Sequence, residues 1–244
     1  MIGSFLNVVV HRLPRKLSIV SPPSQCPSCG HRIHWYENIP VLSYVFLAGR
    51  CRFCDAKISI RYPVIELLTA LLFLTTEIKF GFSYILFIRD WFFVSILIAV
   101  TFIDLEHRII PDTLSLGGLI LGLATSWLIP GLGILNSAIG AGFGFCAFYG
   151  LAWAYMRFTG RSGLGGGDIK LIAMIGAFLG ASGVFATIFI SSIFGSLVGI
   201  AWGLARGRKE VMKLAIPYGP FLVVGALYYY LLGDILWFRF TTPI

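Results

Sequence analysis

The chain has 244 residues, 57% apolar and 12% charged, a charged share about half the ~25% usual in soluble domains, so a soluble cytosolic globule is excluded. Intrinsic disorder is excluded as well, because disordered segments are poor in aromatic residues and this chain carries 21 Phe, 10 Tyr and 6 Trp. Nineteen Lys and Arg against eleven Asp and Glu leave a net charge of +8, which favours nucleic acid or a membrane orientation according to where the charges fall.

Met1 to Val10 is apolar but only about half the ~20 residues a membrane span requires. No basic region precedes it and no small-residue cleavage site follows, so it is not a signal peptide and reads as the back half of a span. Residues 11–62 form a polar insert. Seven apolar runs follow, bounded by charge, Pro or Gly: Pro63 to Phe80, Tyr84 to Ile103, Thr113 to Ile129, Leu132 to Phe158, Ile169 to Leu179, Val184 to Ala205 and Ile216 to Phe238. The fifth is short and ends at Gly180-Ala-Ser-Gly183. The expected fold is an all-α polytopic membrane protein of about seven to eight transmembrane helices carrying one cytoplasmic loop. Its expected organisation is a partial first span over 1–10, the cytoplasmic insert over 11–62 and a membrane-embedded bundle over 63–244.

Orientation follows the cationic connections. Sixteen of the nineteen Lys and Arg lie in residues 11–62, 104–112, 157–170 and 206–213, whereas Lys79, Arg89 and Arg239 lie in or beside the alternate connections. That alternation places the four basic connections in the cytoplasm. The basic excess is then topological, and nucleic acid is not an expected partner; the lipid bilayer is.

Cys26-Pro-Ser-Cys29 and Cys51-Arg-Phe-Cys54 are separated by 21 residues, a spacing that lets two knuckles converge on one tetrahedral ion. In a reducing compartment thiolates are available to metal, and Zn2+ is the expected occupant. Four sulfur ligands close the site, so its role is to staple a roughly 50-residue loop too small for its own core. The competing reading is a pair of redox dithiols, for which the usual βαβ setting is missing. His31 and His34 are alternative ligands by position but read as solvated loop residues beside a complete Cys set, and Cys146 reads as a buried packing residue within an apolar helix.

Ionisable groups at the ends of spans are costly and usually functional. Asp104 ends one span and Asp168 opens another. Two spans separate them, so both lie at the same cytoplasmic face and a carboxylate pair is geometrically possible. Asp168 follows Gly163-Leu-Gly-Gly-Gly167, where missing side chains let an extended substrate approach; no Lys-Ser/Thr follows, as a phosphate-binding loop needs. Asp168 reads equally as a helix N-cap. Two carboxylates in a partly dehydrated site share one proton, so one serves as base toward water and the other as acid toward an amide carbonyl. Such a pair titrates as a unit, and neither aspartate is assigned the proton.

Ile103-Asp104-Leu-Glu-His-Arg-Ile-Ile-Pro-Asp112 and Gly165-Gly-Gly-Asp168-Ile-Lys170 resemble the Asp-x6-Pro-Asp and Gly-x-Gly-Asp-x-Lys signatures of prepilin peptidases, membrane aspartic proteases of the GxGD type. Gly3-Ser-Phe-Leu-Asn-Val-Val, Arg12-Leu-Pro14, the Cys quartet, Trp35-Tyr-Glu-Asn-Ile-Pro40 and Arg61-Tyr-Pro-Val-Ile-Glu66 extend the resemblance over most of the chain. It implies that Asp104 and Asp168 form the catalytic dyad, with Asp112, Lys170, Gly165 and Gly167 as supporting motif residues. From the residues themselves, Asp112 reads as a cap after Pro111 and Lys170 as an interfacial cation snorkelling to headgroups. The resemblance further implies prepilin and pseudopilin substrates, whose short basic leader is removed at the cytoplasmic face of the bacterial inner membrane. It also implies methylation of the new N-terminal residue with S-adenosylmethionine, the second activity of members that carry the Cys loop. Gly140-Ala-Gly-Phe-Gly144 lies inside a span and marks close helix packing, not a nucleotide site. Family members carry a complete first span before Gly3, so a late start or a trimmed chain is expected here.

The rival reading is a polytopic transporter, which predicts functional carboxylates near mid-bilayer. Asp90 and Glu77 fall toward the face opposite Asp104 and Asp168, so no midplane cluster emerges from the sequence.

Overall fold

The computed structural model describes residues 1–81, 84–129, 131–160, 163–206 and 217–236. Arg161, Arg208, Lys209, Lys213 and Arg239, part of the charge count above, lie outside them, as do the ends of the last predicted span. Among the described residues all regular elements are helical, and β pairing is limited to two isolated bridges, Gln25 with Arg32 and Arg50 with Lys57. The chain divides into two compact units, Met1–Gly81 and Phe82–Ile244.

In the first unit, α1 (Ile2–Arg12) lies against α3 (Arg61–Phe80), and the short α2 (Leu42–Phe46) stands in the insert between them. Leu6, Val9 and Val10 of α1 and Ile65 and Phe73 of α3 are buried. The two helices meet closely at Gly3, where a Cβ would stand 2.8 Å from the Glu66 backbone. The buried Asn7 amide donates to the Tyr62 carbonyl at 3.1 Å, and Ser4 donates to Asn38 at 2.7 Å. Glu66 accepts the Val41 N–H at 2.8 Å, tying the insert to α3.

The second unit comprises α4 (Tyr84–His107), α5 (Asp112–Thr125), α6 (Gly133–Thr159), α7 (Gly166–Arg206) and α8 (Gly219–Leu236). Two stretches, Gly133–Thr159 and Gly166–Ala205, the second interrupted at Gly180, are long and apolar enough to cross a bilayer, and Asp112–Leu128 and Gly219–Gly233 are shorter apolar helices. Only 28% and 22% of the most apolar part of the two long stretches is buried, whereas a core helix of a soluble protein would be covered. Their apolar surface faces outward, and the protein is a membrane protein.

Within α7 the backbone leaves helical geometry at Gly180 (φ 72, ψ −175), and the chain reverses there. Phe178 stacks on Phe93, which meets Tyr230 edge-on, so the first half of α7 ends beside the C-terminal part of α8. The second half then returns, because Ser182 bonds Tyr229 at 2.8 Å and Ser191 bonds Tyr218 at 2.9 Å. The gap expected over Gly180 to Gly183 is thus a reversal centred on one residue, whose positive φ suits glycine. At the reversal Arg89, 4% exposed, pairs with Asp90 at 3.2 Å and donates to the Phe178 carbonyl at 2.9 Å.

The first half of α7 is the most enclosed segment of this unit. Leu171, Ile172, Met174, Ile175 and Ala177 are fully buried. Against α6 the two backbones touch: a Cβ on Gly140 would fall 2.5 Å from the Gly176 carbonyl oxygen, and one on Gly144 would fall 2.8 Å from that of Ile172. The Gly140–Gly144 run therefore serves close packing, as its place inside a span predicts. Ser137 adds a hydrogen bond to the Ala177 carbonyl at 2.6 Å.

Candidate active site and metal centre

Asp104 lies in the last turn of α4 and is 5% exposed. The helix closes when Arg108 adopts a left-handed φ of 55 and its N–H bonds the Asp104 carbonyl at 2.9 Å. The next residues, Ile109 to Pro111, lead directly to α5. Asp168 is the third residue of α7 and is half-buried. Because the helix begins two residues before it, Asp168 does not occupy the N-cap position that the sequence left open.

Two contacts gather these segments at one end of the second unit and bring Asp168 within range of the Asp104 charge. Gly167 rests on the connection after α4, where a Cβ would stand 2.9 Å from Ile110 Cβ. Lys170 Nζ meets Asp112 Oδ1 at 2.6 Å. Asp112 is the first residue of α5, one past the N-cap Pro111, so in place of the cap expected of it the carboxylate forms an ion pair. Lys170 is likewise engaged by a carboxylate. A Cβ on Gly165 would lie 3.0 Å from Asp168 Oδ2, and the Gly165 N–H bonds this carboxylate, so the absence of a side chain lets the loop backbone approach it closely.

One residue escaped the sequence reading. The Gly219 N–H, opening α8, donates to Asp104 Oδ2 at 3.0 Å, and a Cβ at 219 would stand 2.6 Å from that oxygen. Only glycine brings the backbone this near. The available signal was Pro217-Tyr-Gly-Pro220, a helix-start pattern with Pro in the first turn before the last apolar run. The assembly can hold two carboxylates at fixed positions, one bonded to a helix N-terminus, where partial positive charge favours an anion.

In the first unit the four cysteines converge, with all four Sγ atoms within 4.8 Å of one another. Cys26 and Cys54 are 3.8 Å apart and Cys29 and Cys51 4.0 Å; sulfurs at ~2.3 Å from a tetrahedral zinc lie about 3.8 Å apart. Each knuckle is built alike. The Cys26 N–H bonds the His31 carbonyl at 2.8 Å and the Cys51 N–H that of Ala56 at 2.9 Å, and each turn passes through a left-handed residue, Gly30 (φ 69) or Asp55 (φ 55). Backbone N–H groups of Cys29 and Ser28 draw the Cys26 thiol down to about 6. At Cys54 the Ala56 N–H pulls the same way but is outweighed by desolvation and the neighbouring thiols, and the group is pushed up to about 12. Four thiolates this close repel one another without a cation, so the set can hold a metal ion and suits one.

His31, expected to be solvated, instead packs its ring 3.5 Å from that of Phe53, and its Nε2 is buried. His31, His34 and Glu37 are close enough to share an ion, but Glu37 also faces Arg52 at 3.8 Å, which makes this group an ion-pair network between the knuckles. Cys146 is exposed, not buried as its surroundings in sequence suggested.

Residues 1–80 match the bacterial peptidase A24 N-terminal domain, and residues 91–200 match the type IV leader peptidase family. Proteins named prepilin leader peptidase/N-methyltransferase from Myxococcus xanthus, Pseudomonas putida and Aeromonas hydrophila are 42%, 36% and 37% identical to this chain, over 85%, 96% and 96% of it. The chain belongs to the type IV leader peptidase family. It spans 62% of the length of the M. xanthus relative and 88% of each of the other two. No solved structure matches it. The leader peptidase match covers Asp104, Asp112, Asp168 and Lys170, and the N-terminal match covers the Cys quartet, whereas Gly219 lies beyond both.

Proposed function

We propose that this member of the type IV leader peptidase family removes the basic leader from type IV prepilins and pseudopilins and methylates the N-terminal residue so exposed, using S-adenosylmethionine. Asp104 and Asp168 are the catalytic dyad. The observation that carries the reading is that the two segments bearing them come together at one end of a helical unit, Gly167 against Ile110 and Lys170 against Asp112. A transporter would instead place its carboxylates midway along the helices.

The two carboxylates share one proton at neutral pH. The ionised one takes a proton from water as the water oxygen bonds to the scissile carbonyl carbon, while the protonated one gives its proton to the carbonyl oxygen. The resulting diol collapses as the first aspartate's new proton passes to the leaving nitrogen and the C–N bond breaks. The second aspartate recovers its proton from a hydroxyl. Leader carboxyl and new amine leave, and the dyad is restored.

The enzyme is a multi-pass protein of the bacterial inner membrane with seven to eight spans, its dyad and Cys loop facing the cytoplasm. Residues 1–10 belong to the first span, 11–62 form the loop linked with methyl transfer and 63–244 the peptidase bundle. Cys26, Cys29, Cys51 and Cys54 hold a structural Zn2+, which would fix the two knuckles and supply no reaction chemistry, since a closed four-sulfur site has no open position. Supporting this account are the relatives' names, the outward apolar surface of the long helices and the spacing of the four sulfurs. Incubation of the membrane-inserted protein with a prepilin and S-adenosylmethionine should give product lacking its leader and bearing one added methyl group. An unprocessed prepilin contradicts the reading.

A further inference from the structure

Gly219 can hold Asp104 only if the start of α8 is itself held, and the structure shows what holds it. Tyr218 precedes Gly219, and its carbonyl accepts the N–H groups of Phe221 at 3.1 Å and Leu222 at 3.2 Å, so it closes the first turn. Its ring lies between Phe148 of α6 and Phe221 of α8, with centroids 6.2 Å away in each case, and Gly195 of α7 leaves space for it, since a Cβ there would touch the ring at 3.6 Å. Its hydroxyl lies 2.9 Å from Ser191 Oγ. Ser191 is fully buried and donates its own proton to the Ile188 carbonyl at 3.0 Å. A serine hydroxyl has one proton to give, so Tyr218 is the donor in the pair.

We propose that Tyr218 is a positioning residue for leader cleavage: its hydrogen bond to Ser191 fixes the α8 N-terminus so that the Gly219 N–H orients the Asp104 carboxylate. The idea rests on the dyad reading above and extends it to a segment outside the matched family region. Ser191 reaches this place because α7 reverses at Gly180, which returns its second half to the end of the unit that holds Asp104. Three helices then set one N–H. The ring contacts are non-directional, whereas the buried Ser191 hydroxyl fixes the direction of the Tyr218 O–H.

Tyr218→Phe removes one oxygen and keeps the ring. With purified protein and a prepilin substrate, kcat should fall roughly 2- to 10-fold, the range for one intramolecular hydrogen bond, with KM at its wild-type value and the thermal midpoint lowered only by what the loss of one hydrogen bond costs. Ser191→Ala should lower kcat similarly, and the double variant should be no worse than either single one, because both remove the same bond. Gly219→Ala, which pushes a methyl group into Asp104, should lose far more activity. Additive losses in the double variant, a wild-type kcat for Tyr218→Phe, or a loss confined to KM or thermal midpoint would each overturn the proposal. Failure of the dyad reading looks different: Asp104→Asn would then still cleave the same prepilin.

Discussion

Lys170 Nζ and Asp112 Oδ1 stand 2.6 Å apart and so join the N-terminal part of α7 to the first turn of α5. The pair links the two sequence motifs that carry the proposed dyad, Asp104 lying eight positions before Asp112 and Asp168 two before Lys170. Its side chains are 36% and 60% exposed, and exposed ion pairs contribute only about 0.2 to 1 kcal/mol. Lys170→Met should therefore leave folding intact and slow leader cleavage by roughly 2- to 5-fold. Exchanging the charges, Asp112→Lys with Lys170→Asp, should recover more activity than either single change. Initial cleavage rates of the four proteins decide this, and a double variant no better than the singles would remove the pair's positioning role.

The helix that carries Asp168 depends on backbone contact with α6. Any side chain at Gly140 meets the Gly176 carbonyl oxygen at 2.5 Å, an obstruction that rotamer choice cannot relieve. Gly140→Val should force the helices apart, at a cost of at least about 1 to 3 kcal/mol, and reduce the amount of protein that accumulates. Gly142→Val, where a Cβ meets nothing within 4 Å, is the matched control. Equal thermal midpoints for the two variants in detergent would contradict this packing account.

For the cysteine quartet, the expected result is about one zinc per wild-type chain and almost none in Cys29→Ser, since three sulfurs leave an open, weaker site. Elemental analysis of purified protein measures the content. Limited proteolysis should cut residues 26–58 faster in the variant, and methyl transfer should suffer more than leader removal. A wild-type protein free of zinc and all other metals would end the structural-ion reading.

How far the sequence discloses this arrangement depends on the range of the interactions. The Cys spacing was readable because each knuckle is a local turn that brings two ligands together by itself. The apolar runs located the helices because burial in lipid acts on every residue of a span. Gly140 and Gly144 were readable as packing residues for a similar reason, their smallness being conspicuous inside a span. By contrast, the Gly219 bond to Asp104 crosses 115 positions and the Lys170 pair crosses 58, and nothing local announces either. Asp112 looked like a cap because Pro111 precedes it, yet a distant lysine took its carboxylate. The reversal at Gly180 was foreseen as a four-residue gap because the sequence shows four small residues, while the fold needs only one positive φ.

The central claim is that Asp104 and Asp168 act together on one peptide bond, and the most direct measurement is product mass after incubating a prepilin with wild type, Asp104→Asn and Asp168→Asn, each membrane-inserted at equal amounts. The wild type should release the leader, and each variant should fall by about 10² to 10⁴-fold or more, as expected for loss of an acid or base. Cleavage at the wild-type rate by either variant would contradict the account.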